Sequence, residues 1–234
     1  MRPLATFAPL MLLLPGPTAR RPAATLRGGA SKPRYPPPPT ACPLQPRNRS
    51  WETHVFHWDA TMQDPGDNSY LNNTPSAWRQ YDWDIVTTVD VFSDGSIDPE
   101  LLCAAHRHGT RVVIGSVAQN QPIWSGQAAL ANATHRAALV ESIVANVQRY
   151  QADGANVDIE QPDPSLRSAM TAFVCELGAA LGRAVPGAQL TMDMPVRPIS
   201  YHSLVEYDYT SLAECVDYFV LMVTCAPKSP HHLI

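Results

Sequence analysis

The chain of 234 residues holds 17 Lys and Arg against 21 Asp and Glu, a formal net charge of −4, and 23 prolines. Six of those cations and ten of the prolines, but no acid, fall in the first 41 residues, which leaves 11 cations against 21 acids, about −10, in the remainder. That excess of negative charge disfavours a nucleic-acid partner, and a neutral or sugar-like ligand fits it better than a polyanion.

The chain opens on a basic second residue and an apolar run, Leu4 to Leu14, interrupted by Pro9. The run is too short to span a bilayer and reads as the apolar part of a signal peptide over residues 1–19, with small residues near Thr18-Ala19 for cleavage. An acid-free, Arg-containing start also fits an organelle transit peptide. Residues 20–50, rich in Pro and Arg, are expected to be disordered. No later segment approaches a membrane span. Asn48-Arg49-Ser50, Asn72-Asn73-Thr74 and Asn132-Ala133-Thr134 are glycan acceptors if the chain is secreted. Cys42, Cys103, Cys175, Cys215 and Cys225 form no close pair, which leaves bridges and free thiols both open. Cys103 and Cys175 lie in helical apolar patterns and are expected as plain core residues.

From residue 54 strands and helices alternate. His54 to Asp59 reads as a first strand, followed by a polar loop, Met62 to Arg79, rich in Asn, Asp, Pro and Gly. Asp84 to Phe92 is a second strand, and Asp98-Pro99 opens a helix through His108 that Gly109 ends. Arg111 to Val117 is a third strand, and Thr134 to Gln151 a helix with Ala138, Ile143, Val144 and Val147 near helical spacing. After a fourth strand, Asp163 and Pro164 suit the start of a helix within Pro162 to Val185. Gln189 to Met194, a short helix over Tyr209 to Cys215, and Asp217 to Val223 complete six strands. Such alternation implies a doubly wound sheet or a (β/α)₈ barrel.

The fourth strand, Asp153-Gly154-Ala155-Asn156-Val157-Asp158-Ile159-Glu160-Gln161, carries the chemistry. Alternation puts Asn156, Asp158 and Glu160 on one face and Ala155, Val157 and Ile159 on the other. Carboxylates buried against another layer without partners cost several kcal/mol per ion, so this face is either functional or in water.

The stretch Asp153 to Glu160 resembles the DGxDxDxE signature on the fourth barrel strand of family-18 glycoside hydrolases, with Asn156 where most members have Asp. Asn followed by Asp-Ile-Glu-Gln is the form of the chitobiase branch. Tyr81-Asp82-Trp83, Ile85 to Val89, Glu100 to His106, Arg111 to Val113, Leu190 to Asp193 and Ala213 to Phe219 resemble that branch in order, over roughly residues 54 to 222. The resemblance selects the (β/α)₈ barrel and makes residues 51–234 a partial catalytic domain. About six of eight strand-helix units are present, since such barrels usually need about 250 residues. A fragment, a truncated splice form or a mispredicted gene end accounts for the rest, and strands one and six are expected to have unpaired edges.

The resemblance implies hydrolysis of β-1,4-linked N-acetylglucosamine oligomers, with the sugar's own acetamido oxygen attacking the anomeric carbon. It implies Glu160 as proton donor and Asp158 as the residue that orients the acetamido group. Asn156, in this reading, donates to Asp158 without titrating. Asp153 is expected to support the motif structurally. Asp59, Asp193 and Trp58 are candidate sugar contacts, with Trp78 and Trp124 as further stacking surfaces. Thr224 stands where the family has a Tyr that holds the acetamido carbonyl. His54 and His57 point to opposite faces of one strand, and His106, His108, His231 and His232 show no ligand constellation, so neither metal nor cofactor is expected. The alternatives are a chitooligosaccharide-binding lectin without turnover, which usually lacks the acid at the Glu160 position, and an inactive truncated isoform.

Overall fold

The computed structural model describes residues 35–38, 40–46, 50–58, 77–195 and 206–222. Asp59, most of the loop expected over Met62 to Arg79, and Thr224 lie outside the described residues, as does the side chain of Trp58. Six strands, β1 (His54–Trp58), β2 (Thr88–Phe92), β3 (Arg111–Ile114), β4 (Gly154–Val157), β5 (Gln189–Pro195) and β6 (Tyr218–Met222), form one sheet. They pair in chain order and all parallel. Helices α1 (Pro99–Arg107), α2 (Ala133–Tyr150), α3 (Arg167–Ala184) and the short α4 (Tyr209–Ala213) complete a half-barrel.

Period-two alternation decides which face each strand residue takes. Val89, Val91, Val112, Ile114, Ala155, Val157, Leu190, Met192 and Met194 join one hydrophobic core with Leu101 and Leu102 of α1, Leu139, Ile143 and Val147 of α2, and Phe173, Val174 and Leu177 of α3. The alternate residues face the concave side. There the edge strands approach through their first residues, because His54 Nδ1 and the Tyr218 hydroxyl are 3.1 Å apart. Thr88, which opens β2, donates to Gln189 Oε1 of β5 at 3.2 Å. Backbone pairing leaves β1 and β6 as edges, yet side chains join them at this end.

Local chemistry sets the boundaries. Asp98 caps α1 by accepting from the Glu100 amide at 2.8 Å, with Pro99 behind it. Asn132 caps α2 through the His135 amide. The second strand begins at Thr88 rather than Asp84, because the Ile85 and Val86 amides turn back onto the Asp82 carbonyl. The third ends at Ile114 rather than Val117, where Gly115 and a left-handed Ser116 (φ 45°) break the ladder.

Cys103 and Cys175 are not plain core residues: Cys42 bridges to Cys103 and Cys175 to Cys215, across sequence separations of 61 and 40. Those separations hide the pairing from a reading by spacing. The first bridge pins residues 40–46 against α1, and the Gln45 amide donates to the His106 carbonyl at 3.0 Å. The Tyr150 hydroxyl donates to the Tyr35 carbonyl at 3.2 Å. Such bridges persist in oxidising compartments. Closing a loop of either size removes chain entropy worth about 4 kcal/mol. Reduction with dithiothreitol is therefore expected to move the urea midpoint sharply downward, and a midpoint unchanged by reduction would contradict the pairing. Among the described residues no helix is long and apolar enough to cross a membrane.

Candidate active site

The ladder of β4 stops at Val157, and the chain runs on through Asp158, Ile159 and Glu160 to the rim of the sheet. Ile159 continues the helix-facing apolar row, which puts Asp158 and Glu160 on the concave side with Asn156. Past the ladder the backbone carbonyls have no neighbouring strand to accept from. Three side chains take that place: Gln119 donates to the Asp158 carbonyl, the Tyr207 hydroxyl to that of Ile159 at 2.9 Å, and Gln127 to that of Glu160 at 2.9 Å. Two non-glycine residues in left-handed backbone, Ser116 (φ 45°) and Gln161 (φ 47°), flank this stretch. Strain of this kind persists where the surroundings over-determine it.

Asp158 is half-buried, and its Oδ2 accepts from the Ser116 hydroxyl at 3.0 Å. Glu160 stands at the exposed rim. Beneath them lies a buried polar layer. Asn156 Nδ2 donates to Thr191 Oγ1 at 3.0 Å and to Asp193 Oδ1 at 2.9 Å. Both amide hydrogens are thus used on β5, and the expected bond from Asn156 to Asp158 is not made. Asp90, wholly buried on β2, meets His54 Nε2 through Oδ2 at 3.1 Å. Asp90 Oδ1, Asn156 Oδ1 and Asp158 Oδ1 are buried without a hydrogen-bond partner among the described residues.

Burial raises the proton affinity of the carboxyls here and lowers that of His54. Burial, then the charge of Asp158, raises Glu160 above the ordinary glutamate range. Burial raises Asp158 too, against the lowering effect of the Ser116 bond. Asp193 is pushed up to about 7, by burial first. Burial holds His54 below its usual value. At His106 burial acts downward, but the bond and charge of Asp153 and the Cys42 carbonyl together raise it. An exposed carboxyl of raised proton affinity beside a second, hydrogen-bonded carboxyl is suited to general acid–base chemistry.

These shifts carry a sign for stability. Asp193 binds its proton in the fold up to about 7 but releases it near pH 4 when unfolded, so its contribution is full below that range and is lost as pH rises through it. His106, also raised, acts in the same sense about its own range. His54, held neutral, opposes them below about 6.5. Burial, then the charge of Asp158, also holds Asp90 well above the ordinary aspartate range, and two buried carboxyls outweigh that one imidazole. Urea midpoints are expected to be higher at pH 5 than at pH 7, and the reverse order would show that these acids are ionised in the fold.

Asp153 lies away from this layer. Its Oδ2 accepts from the Val112 amide at 2.7 Å and from His106 Nε2 at 2.8 Å, tying the entrance of β4 to β3 and α1. Asp193 is on the concave face, 2.9 Å from Asn156. Trp78 is instead buried on the outer flank, lining a pocket with Pro99 and Glu100 of α1, and Trp124 packs against the core. His54 and His57 do take opposite faces, meeting Asp90 and Tyr81 respectively. Among the described residues no three His, Cys, Asp or Glu side chains are grouped to hold a metal ion. Sequence reasoning missed Asp90, Ser116, Gln119, Gln127 and Tyr207. Only Asp90 left a signal, as a lone acid inside Val89-Asp90-Val91.

The model for glycosyl hydrolases family 18 matches residues 108–226. Di-N-acetylchitobiase of Rattus norvegicus is 37% identical over 150 residues, 62% of this chain and 38% of the rat protein. Di-N-acetylchitobiase of Bos taurus is 38% identical over 117 residues, 48% of this chain and 61% of that protein. The chain therefore spans less than two thirds of the length of either relative. Group II chitinase catalytic domain 2 of Ostrinia furnacalis, in complex with penta-N-acetylchitooctaose, superposes with a TM-score of 0.54 at 16% identity over 74% of this chain and 50% of that one. YKL-39, solved in the presence of chitooligosaccharides, superposes with a TM-score of 0.54 at 12% identity over the same shares. At these identities the likeness is one of fold.

Proposed function

Because the chain belongs to glycosyl hydrolases family 18, we propose that it hydrolyses β-1,4-linked N-acetylglucosamine, as chitobiose or short chitooligosaccharides, including those from glycoprotein cores. Glu160 protonates the leaving oxygen and then, as base, activates water. The acetamido oxygen of the sugar is the nucleophile, so no enzyme carboxylate is glycosylated. Asp158, fixed by Ser116, orients the acetamido N–H and stabilises the charge of the cyclic intermediate. Asn156 and Asp193 hold the floor below. The substrate class is supported by the names of the relatives, by the oligosaccharide in complex with the Ostrinia furnacalis domain and by the chitooligosaccharides present with YKL-39.

The observation that carries the reading is the pair itself: an exposed Glu160 with raised proton affinity, beside Asp158, at the end of β4 where barrel enzymes place their chemistry. Asp153, by its bonds, is the residue that fixes the entrance of that strand. Trp58, Asp59 and Asp193 remain the proposed sugar contacts, and no metal or cofactor takes part. The bridges, with the signal peptide expected from the sequence, fit a secreted or lysosomal protein, where an acid pH would suit carboxyls of raised proton affinity. Turnover of a chitobioside by the full chain tests the proposal: hydrolysis is expected, and binding of chitooligosaccharide without hydrolysis would replace it with a lectin function.

A further inference from the structure

We propose that Tyr207 and Gln127 are positioning residues for Glu160: from opposite sides of β4 they continue its pleat past the last ladder bond and so aim the carboxyl at the concave face. The proposal rests on the role given above to Glu160. The ladder cannot do this itself, because β4 ends at Val157, three residues short of Glu160. A strand end without partners frays, and a rotated peptide turns the side chain that follows it to the other face.

The carbonyls of an extended strand point alternately to its two neighbours. Those of Asn156, Asp158 and Glu160 should therefore face one way and that of Ile159 the other. The bonds follow that rule. On the β3 side the Val117 amide donates to the Asn156 carbonyl at 3.1 Å. Gln119 and Gln127, both from the connection after β3, donate to the carbonyls of Asp158 and Glu160, the latter at 2.9 Å. On the β5 side the Tyr207 hydroxyl, from the connection after β5, donates to the Ile159 carbonyl at 2.9 Å. Two side-chain amides and a phenol thus stand where the backbone amides of longer neighbouring strands would stand. The pleat carries through to Glu160 before Gln161 turns into left-handed backbone (φ 47°).

The clamp is itself fixed. Tyr207 is 1% exposed, and burial, the largest of several causes, holds its hydroxyl above the ordinary range, so it stays a donor. The short helix that carries Gln127, Gln127–Ala131, is tied down by Arg136. Its Nη1 donates to the Leu130 carbonyl at 2.8 Å and its Nη2 to Glu176 of α3 at 3.0 Å. Asp158 has a side-chain bond from Ser116 to orient it, whereas the carboxyl of Glu160 has none among the described residues. The aim of Glu160 is therefore set through its backbone.

Tyr207→Phe and Gln127→Met keep the bulk and lose the donated bond. Each is expected to lower kcat on chitotriose roughly tenfold or more with little change in KM. The loss in kcat/KM is expected to be several-fold smaller on a nitrophenyl chitobioside, because nitrophenolate departs without the proton that a misaimed Glu160 fails to deliver. Glu160→Gln, measured alongside, sets the size of that preference. Equal losses on the two substrates, a loss confined to KM, or parent rates in both variants would overturn the proposal, since a general loosening of the fold does not distinguish leaving groups. A preference seen in Glu160→Gln but not in the clamp variants would retire the clamp alone. A parent chain that turns over neither substrate, or a Glu160→Gln variant without the preference, would retire the reading of Glu160 as donor and the proposal with it. Where Tyr207→Phe fails to fold, Gln127→Met decides.

Discussion

Glu160→Gln is expected to lower chitobioside hydrolysis by roughly 10²–10⁴-fold while leaving oligosaccharide affinity nearly unchanged. The amide keeps the size and rim position of the carboxyl and loses only the proton that the departing oxygen needs. The loss should be larger for a sugar leaving group than for a nitrophenolate, which departs without protonation. Steady-state kinetics on both substrates, with calorimetric binding alongside, measure this. A variant that turns over at the parent rate would remove Glu160 from the chemistry. One that loses binding equally would mean that the substitution had disturbed the rim, not the acid.

Gly154→Ala, six residues earlier, is expected to cost more than about 4 kcal/mol and to leave no cooperative urea transition. Gly154 pairs with Gln189 of β5. A Cβ at Gly154 would overlap the Gln189 carbonyl oxygen and stand 2.7 Å from its carbon and 2.8 Å from its nitrogen. All three are backbone atoms of a paired strand and cannot swing aside. The control is Gly182→Ala, in α3 with nothing within 4 Å of the added carbon, which should stabilise by about 0.5–1 kcal/mol. Equal unfolding midpoints for parent and Gly154→Ala would contradict the close approach of β4 to β5.

Much of this architecture is legible in the chain because alternation is a local signal. The apolar rows of β2, β4 and β5 announce the helix-covered face, Asp98-Pro99 announces the start of α1, and Asp163-Pro164 opens a short 3-10 turn, Pro164–Leu166, that leads into α3 at Arg167. The pair Asp158 and Glu160 is legible for the same reason. What surrounds it is not. Tyr207 lies 48 residues from the carbonyl that it holds, and Gln127 lies 33 from its own. Nothing about an isolated Gln or Tyr distinguishes a backbone clamp from a solvated side chain. His54 could be excluded from a metal site by strand geometry, but its link to Asp90 and Tyr218 requires the curl of the sheet. The bridges stayed hidden because pairing depends on which helix faces meet, and spacing carries none of that.

The order of the strands, β1 through β6 in both chain and sheet, bears on how the molecule is made. No strand has to be inserted between two that are already paired, so each can dock on its predecessor as it leaves the ribosome. The anchors suit such vectorial growth: Asp153 grips the Val112 amide of the preceding strand, and Asp217 grips the Leu190 amide in the same way, each at 2.7 Å. The acid–base strand thus finds β3 already in place, while Tyr207, which steadies its tip, follows 48 residues behind the carbonyl it holds.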